Sequence, residues 1–373
     1  MKRKPSTENR TPQLMTGNEA IGEAAVQAGC QFYAGYPITP QNELTAYMFR
    51  RMAEEGRPSV QSESELAAIN MVFGASVTGA RCMTSSSSPG ISLKQEGISY
   101  LAACRLPSVI VNIMRGGPGL GNIAPGQADY FQATKGGGHG DYHMIVLAPS
   151  TVQEAFDLTK LSFDLADEYR TPVMVLADGV LGQMMEPISL GTNTARLSAR
   201  QVNRPPDGEA GKPTTDKEWA LTGARGRDPR SIKSLLLKAG KLEELNLILQ
   251  DTYTAIRNAE VRFEKFMCDD ADLIIVAYGI VSRIARACVK ELRSQGKKIG
   301  LLRPITLWPF PKGELNELSK KTKKFLSLEL SAGQMVEDVQ LSVGKDSNVY
   351  FYGRMGGTVC EKEEVEKEIL RYI

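Results

Sequence analysis

Two rhythms of apolar and polar positions alternate along the first half of this chain. Short apolar runs at 30–36, 81–84, 108–113 and 172–176 read as strands, and the stretches 18–29, 42–55, 91–103 and 151–169 repeat their apolar residues at helical spacing. Strand and helix in strict alternation predict a parallel sheet with helices on both faces. The same rhythm restarts near residue 269, with strands expected at 273–278, 298–303, 324–330 and 349–352, a helix at 282–295 and a proline turn at LWPFP. The fold class is therefore α/β, in two units. We assign 1–13 to a disordered lead-in, 14–190 to the first unit, 191–267 to a linker with a pair of connecting helices, and 268–373 to the second, smaller unit.

The chain is organised around residues 60–90, VQSESELAAINMVFGASVTGARCMTSSSSPG. Leu66, Ile69, Val72, Phe73 and Ser76 recur at helical spacing, and Ala67, Ala68, Gly74, Ala75, Gly79 and Ala80 are small, so this helix is built to lie close against another backbone. Its first turn points Glu65 inward. Ser62-x-x-Glu65 is also a capping-box pattern, in which both side chains serve only the helix end, and the two accounts stand side by side at this point. The serines of SSSSPG are expected in a loop, either solvated or holding the polar edge of a ligand.

Three further stretches carry polar groups at strand ends. GYPITP stiffens a turn with Pro37 and Pro40 and displays Thr39, although a purely structural turn explains it equally well. MRGGPGLG sets Arg115 beyond a strand, where it either grips a carboxylate bidentately or forms a surface ion pair; its glycines lack the dinucleotide spacing GxGxxG. A loop from 122 to 144 holds both histidines, His139 and His143, and its length suggests a lid, with or without chemistry in His139, Asp141 and His143.

Composition narrows the classes. With 42% hydrophobic and 24% charged residues and a net charge of +2, the 373 residues suit a globular protein of two or three domains without a nucleic-acid surface. No apolar run reaches about 18 residues, so no membrane span is expected. The basic start, MKRKPSTENRTPQL, lacks an apolar region, and a cytoplasmic location is expected. The six cysteines are scattered without a CxxC pair, so no zinc site or iron-sulfur cluster is expected within the chain, and any electrons must be carried by another one.

Together YPITP, ESE before a small-residue helix, SSSSPG, MRGGPG, and the later YG, LWPFP and ELSAGQ resemble the alpha subunit of the 2-oxoacid:ferredoxin oxidoreductases, over nearly the whole chain after its first dozen residues. The loop NIAPGQADYFQATKGGGHGDY is similar to that of the type acting on 2-oxoisovalerate (3-methyl-2-oxobutanoate). The resemblance implies a pyrimidine-binding domain of a thiamine-diphosphate enzyme followed by a transketolase-C-terminal-like domain. It implies oxidative decarboxylation of a 2-oxo acid with coenzyme A as co-substrate, giving acyl-CoA, carbon dioxide and reduced ferredoxin. Glu65 would be the catalytic carboxylate at the cofactor's aminopyrimidine, chosen over Glu63 because it stands nine positions before Gly74, as in thiamine enzymes generally. Pro37 and Ser87 would join it in cofactor binding, and Thr39, Arg115 and His139 would bind substrate. Asp178-Gly179 lacks the paired asparagines of a diphosphate motif. The resemblance thus implies a beta subunit carrying the diphosphate site and Mg2+, [4Fe-4S] clusters on partner chains, possible gamma and ferredoxin-like delta subunits, and ferredoxin as acceptor. Pyruvate or 2-oxoglutarate is the rival substrate. A non-catalytic scaffold and a self-sufficient transketolase are the rival functions.

Overall fold

A computed structural model describes residues 12–191 and 217–373, so nearly all of the expected lead-in and most of the 191–216 linker lie outside the described residues. The chain opens with β1 (Gln13–Thr16) and α1 (Gly17–Gln27), whose start is closed by a capping box between Thr16 and Glu19. Then follow β2 (Phe32–Gly35), α2 (Asn42–Glu54), β3 (Ser59–Gln61), α3 (Glu65–Val77), β4 (Cys82–Ser86), α4 (Ser88–Ala103) and β5 (Ser108–Met114). A short α5 (Tyr130–Thr134), β6 (Ile145–Leu147), α6 (Val152–Tyr169), β7 (Pro172–Asp178), α7 (Gly179–Gln183) and β8 (Met185–Ile188) complete the first unit, and β8 pairs antiparallel with β1.

Every residue of β5 and β7 is buried, which marks them as the central strands and explains why they are apolar but for Ser108, Asn112 and Asp178. Side chains of β5 alternate across the sheet. Ile110 and Met114 join Ile69, Ile91 and Ile98 on the face of α3 and α4, whereas Val109, Val111 and Ile113 join Ile21, Leu44 and Phe156 on the face of α1, α2 and α6.

Beyond the linker come α8 (Lys241–Ala259), β9 (Phe263–Phe266), β10 (Leu273–Val276), α9 (Gly279–Ser294), β11 (Ile299–Pro304), β12 (Thr306–Trp308), α10 (Lys312–Ser319), β13 (Lys324–Glu329), α11 (Met335–Gln340), β14 (Asn348–Gly353) and α12 (Lys362–Leu370). The second sheet has the order β14-β13-β10-β11-β9, parallel except for β9. The expected pair of connecting helices is a single helix, α8, followed by this antiparallel edge strand.

LWPFP is more than a turn. Its first part is β12, which leaves the second unit and pairs antiparallel with β6, so the first sheet reads β12-β6-β7-β5-β4-β2-β3. Likewise SSSS is no loop: Ser85 and Ser86 finish β4, Ser87 caps α4 and Ser88 begins it, with Pro89 in the first turn, where a missing N–H costs nothing. The loop 122–144 is not a free lid either. Gln127 exchanges backbone and side-chain hydrogen bonds with Leu330 and donates to the Tyr278 carbonyl, and the Tyr130 hydroxyl donates to Asp338 at 2.6 Å. This loop fastens one unit to the other.

Candidate active site

The strands β2, β3, β4, β5 and β7 are parallel, so their carboxyl ends share one edge of the sheet. From β2 the chain passes through α2 to β3 on one side, while β4 lies on the other, which makes the gap between β2 and β4 the switch point where open sheets bind ligands. Pro37 and Thr39 follow β2, Glu65 opens α3 after β3, Ser87 follows β4 and Arg115 follows β5. Four of these elements bring their residues to one place.

Glu65 owes its position to a cap other than the expected one. Ser64, in extended conformation, is the N-cap, and its hydroxyl accepts from the Ala67 N–H at 3.1 Å. Ser62 instead donates to the carbonyls of Gly35 and Ser64. The Ser62–Glu65 capping box is therefore not formed, and the Glu65 carboxylate is released from helix-end duty. It is 6% exposed, and among the described residues it receives no hydrogen bond. The buried stripe of α3 is Glu65, Ala68, Ile69, Val72 and Ser76; Leu66, expected on that stripe, is 46% exposed.

Gly90, in the first turn of α4, makes room for the carboxylate. A Cβ there would stand 2.1 Å from Ser86 Oγ, 2.6 Å from Glu65 Oε1 and 2.9 Å from Glu65 Cγ, so the serine hydroxyl and the carboxylate crowd the same point. Both Ser86 Oγ and Ser87 Oγ are buried without a partner. One turn further along α4, Lys94 is completely buried and donates to Thr84 Oγ1 at 2.6 Å and to the Ser85 carbonyl at 3.0 Å. Burial pulls its ammonium down to about 7 from 10.5, and the nearby Glu65 charge opposes part of that fall.

Arg115 is 7% exposed and has no carboxylate partner among the described residues, so it is not the surface ion pair that was the competing account. Its Nη1 donates to the Thr39 carbonyl at 3.0 Å and its Nη2 to the Leu120 carbonyl at 2.8 Å, leaving Nε buried and unpartnered. The structure thus joins Thr39 and Arg115, and the Thr39 hydroxyl accepts from Asn42. Behind them Ser88 Oγ and Asn112 Nδ2 both donate to Asp129 Oδ2, at 2.7 and 2.8 Å, tying α4 to the end of β5. Burial pushes the Asp129 carboxyl up against those two hydrogen bonds. The loop after Arg115 turns tightly at Gly121, where φ is +64° and a Cβ would fall 1.8 Å from the Gly116 carbonyl oxygen.

The histidines lie elsewhere. His139 is exposed, and its carbonyl accepts from Ser99, nine positions past Gly90 on α4 and so roughly 13 Å along the helix axis. His143 stacks on Trp308 with centroids 4.6 Å apart and meets the edge of Tyr253, and burial lowers its pKa. Its position is a packed one.

Sequence reasoning missed Gly90, Lys94, Asn112 and Asp129. A signal existed for Lys94: it falls on the stripe of Ile91, Ile98 and Leu101, a charge on a face that is otherwise apolar. Asn112 and Asp129 could not be paired without the fold.

What gathers here is an unpaired buried carboxylate, two unpartnered hydroxyls and an arginine with a free N–H. These residues fit the polar edge of a flat heterocycle together with a small anion. Among the described residues no cluster of three or more His, Cys, Asp or Glu side chains is arranged for a metal. All six cysteines are free and buried, and burial pushes the Cys30 thiol up to about 12. No described helix is long and apolar enough to cross a membrane.

Comparison with known proteins places two family descriptions on the chain. Residues 23–231 match "Pyruvate flavodoxin/ferredoxin oxidoreductase, thiamine diP-bdg", and residues 271–365 match "Pyruvate:ferredoxin oxidoreductase core domain II". Ketoisovalerate oxidoreductase subunit VorB of Methanothermobacter marburgensis is 49% identical over 357 residues, 96% of this chain and 97% of that one. The 2-oxoglutarate synthase subunit KorA of the same organism is 37% identical over 370 residues, 96% of this chain and 98% of that one. Among solved structures, the 2-oxoglutarate:ferredoxin oxidoreductase from Magnetococcus marinus with 2-oxoglutarate, coenzyme A and succinyl-CoA bound superposes with a TM-score of 0.81 at 25% identity, covering 99% of this chain and 66% of that one.

Proposed function

This chain belongs to the pyruvate flavodoxin/ferredoxin oxidoreductase family, and from that premise we propose that it is the pyrimidine-holding subunit of a 2-oxoacid:ferredoxin oxidoreductase acting on 2-oxoisovalerate and related branched-chain acids. One observation carries the site: Glu65, buried at the switch point, receives no hydrogen bond from the described residues. A carboxylate shielded to 6% exposure without a protein donor is costly, and a heterocyclic N–H arriving with a ligand repays that cost.

Thiamine diphosphate, when bound, supplies the carbon nucleophile and the electron sink. Glu65 would hold a proton at the pyrimidine N1′, with Ser86 and Ser87 offering hydroxyls to the same ring edge and Pro37 walling it. Arg115 and the Thr39 turn to which it is bonded would orient the carboxylate or keto oxygen of the 2-oxo acid; Arg115 brings charge and a free Nε–H. His139 we assign at most to the outer rim, since its backbone is tied far along α4. The tight loop 116–126 covers Arg115 and helps to keep water out.

We propose that a beta subunit brings the diphosphate site and Mg2+, that [4Fe-4S] clusters sit on partner chains, with gamma and ferredoxin-like delta subunits as candidates, and that coenzyme A and ferredoxin take the acyl group and the electrons in the cytoplasm. Relatives named as subunits support this reading. The test is coenzyme-A-dependent reduction of a low-potential dye by the anaerobically isolated native complex, across straight, branched and dicarboxylic 2-oxo acids. Highest kcat/KM with 2-oxoisovalerate supports the proposal. Highest kcat/KM with 2-oxoglutarate, the reading favoured by the 37% identical relative, replaces the substrate and keeps the chemistry. No turnover with any acid in a cofactor-loaded complex returns the chain to a scaffold role.

A further inference from the structure

We infer that Lys94 is a positioning residue of this site, a buried cation that fixes the Glu65 carboxylate from behind; the inference rests on the assignment of Glu65 just proposed. Lys94 is among the largest side chains with no exposure at all, and it is the one charged residue on a buried helix face whose other members are apolar, small or the neutral Gln95. Burying an ammonium is expensive, and a methionine would fill the same volume at far lower cost. Stability therefore does not account for it.

Its surroundings point to Glu65. Gly90 and Lys94 are four residues apart on α4, so they share a face, and Glu65 Oε1 and Cγ press against Gly90. Thr84 Oγ1 and the Ser85 carbonyl take two of the three ammonium protons and anchor the head group to β4, adjacent to Ser86, whose hydroxyl crowds the same point as the carboxylate. Among the described residues no ion pair within 4 Å joins Lys94 to Glu65, yet the Glu65 charge acts on the lysine and opposes its loss of the proton. The pair therefore interacts through space rather than by contact. That arrangement has a use: a contact ion pair would occupy the carboxylate lone pairs, whereas a cation held one layer back by β4 steadies the charge and leaves both oxygens for the ligand. Burial works to strip the proton from Lys94, and the Glu65 charge works to keep it there.

The experiment is a double-mutant cycle in the native complex with Glu65→Gln, Lys94→Met and the pair, read by dye-reduction turnover and by the dissociation constant of thiamine diphosphate measured calorimetrically on the cofactor-free complex. Lys94→Met should lower turnover by about tenfold or more and weaken cofactor binding severalfold when Glu65 is present, and change cofactor binding by less than about twofold in the Glu65→Gln background. Lys94→Gln, which can still donate to Thr84 and Ser85 but carries no charge, should behave like Lys94→Met. Equal factors in both backgrounds, or recovery of turnover and affinity in Lys94→Gln, would overturn the inference and leave a purely structural lysine. Wild-type turnover in Glu65→Gln would remove the Glu65 assignment itself, and the inference with it.

Discussion

Gly90→Ala tests the geometry of the site with one methyl group. Its Cβ would meet Ser86 Oγ at 2.1 Å and Glu65 Oε1 at 2.6 Å, so reaching even 3.0 Å needs retreats of 0.9 and 0.4 Å. Ser86 can turn its hydroxyl, but Glu65 Cγ, at 2.9 Å, is fixed to the first turn of α3 and can only withdraw with its carboxylate. A 1 Å misplacement at a reacting group costs on the order of 100-fold in turnover, so a retreat of 0.4 Å should cost about tenfold. The fold should survive with a net stability loss of about 0–2.5 kcal/mol, since overpacking costs about 1–3 kcal/mol and alanine in a helix returns about 0.5–1 kcal/mol relative to glycine. Gly97→Ala is the matched control. It lies on the same helix face, two turns on, and its Cβ would meet Ile69 Cγ2 at 2.5 Å and Cγ1 at 2.7 Å, a clash of the same kind away from the carboxylate. Dye-reduction turnover per assembled complex should fall steeply for Gly90→Ala and stay within about threefold of wild type for Gly97→Ala, with similar losses in denaturant midpoint. Equal turnover in the two variants would refute the placement of Glu65 against Gly90.

Three other outcomes follow from the same geometry. Glu65→Gln should leave the fold intact, raise the melting temperature if it changes at all, and reduce turnover by at least about 100-fold; near-normal turnover would take Glu65 out of the chemistry. Arg115→Met should raise KM for the 2-oxo acid by about 10- to 100-fold, since a buried charge-assisted pair is worth about 1.5–3 kcal/mol, and should loosen the Thr39 turn, seen as faster amide exchange at Asn42. The folded pKa of Lys94, about 7, lies below its unfolded value of 10.5, so between those values the unfolded state holds the extra proton. Wild-type stability should therefore rise with pH over that window, by up to about 1.4 kcal/mol per unit relative to Lys94→Met. The associated stabilisation is lost as pH falls to 7. Denaturant titrations of both proteins at pH 7, 8 and 9 check this, and parallel pH dependences would contradict a buried titrating lysine.

Much of this architecture could be read from the chain before any coordinates. The alternation of strands and helices, the inward Glu65 and the strand-end positions of Thr39 and Arg115 are local properties, set by periodicity, proline and glycine. What escaped reading depended on contacts between distant segments. Ser62-x-x-Glu65 has the pattern of a capping box, but Ser64 caps the helix because Ser62 is drawn to the Gly35 carbonyl at the end of β2. SSSS has loop composition, yet pairing with β5 extends β4 through Ser86. The loop 122–144 has the length and glycine content of a lid, yet Gln127 and Tyr130 are buried against a unit more than a hundred residues away in sequence. His139 looked chemical by residue type alone. Lys94 was overlooked for the opposite reason: a lysine is expected in water, and only its neighbours on the helix stripe hinted otherwise.

The strand lent by LWPFP has a consequence for anyone dividing this gene. Thr306 and Trp308 pair with Leu147 and Val146, so a fragment ending at the linker would leave Ile145–Leu147 as a bare outer rim with its amides and carbonyls unmatched. Such a fragment should cling to its own copies in the test tube and recover its manners when the missing half is supplied in trans. The two halves are thus one inheritance, since the sheet of the first is finished by a strand that belongs in sequence to the second.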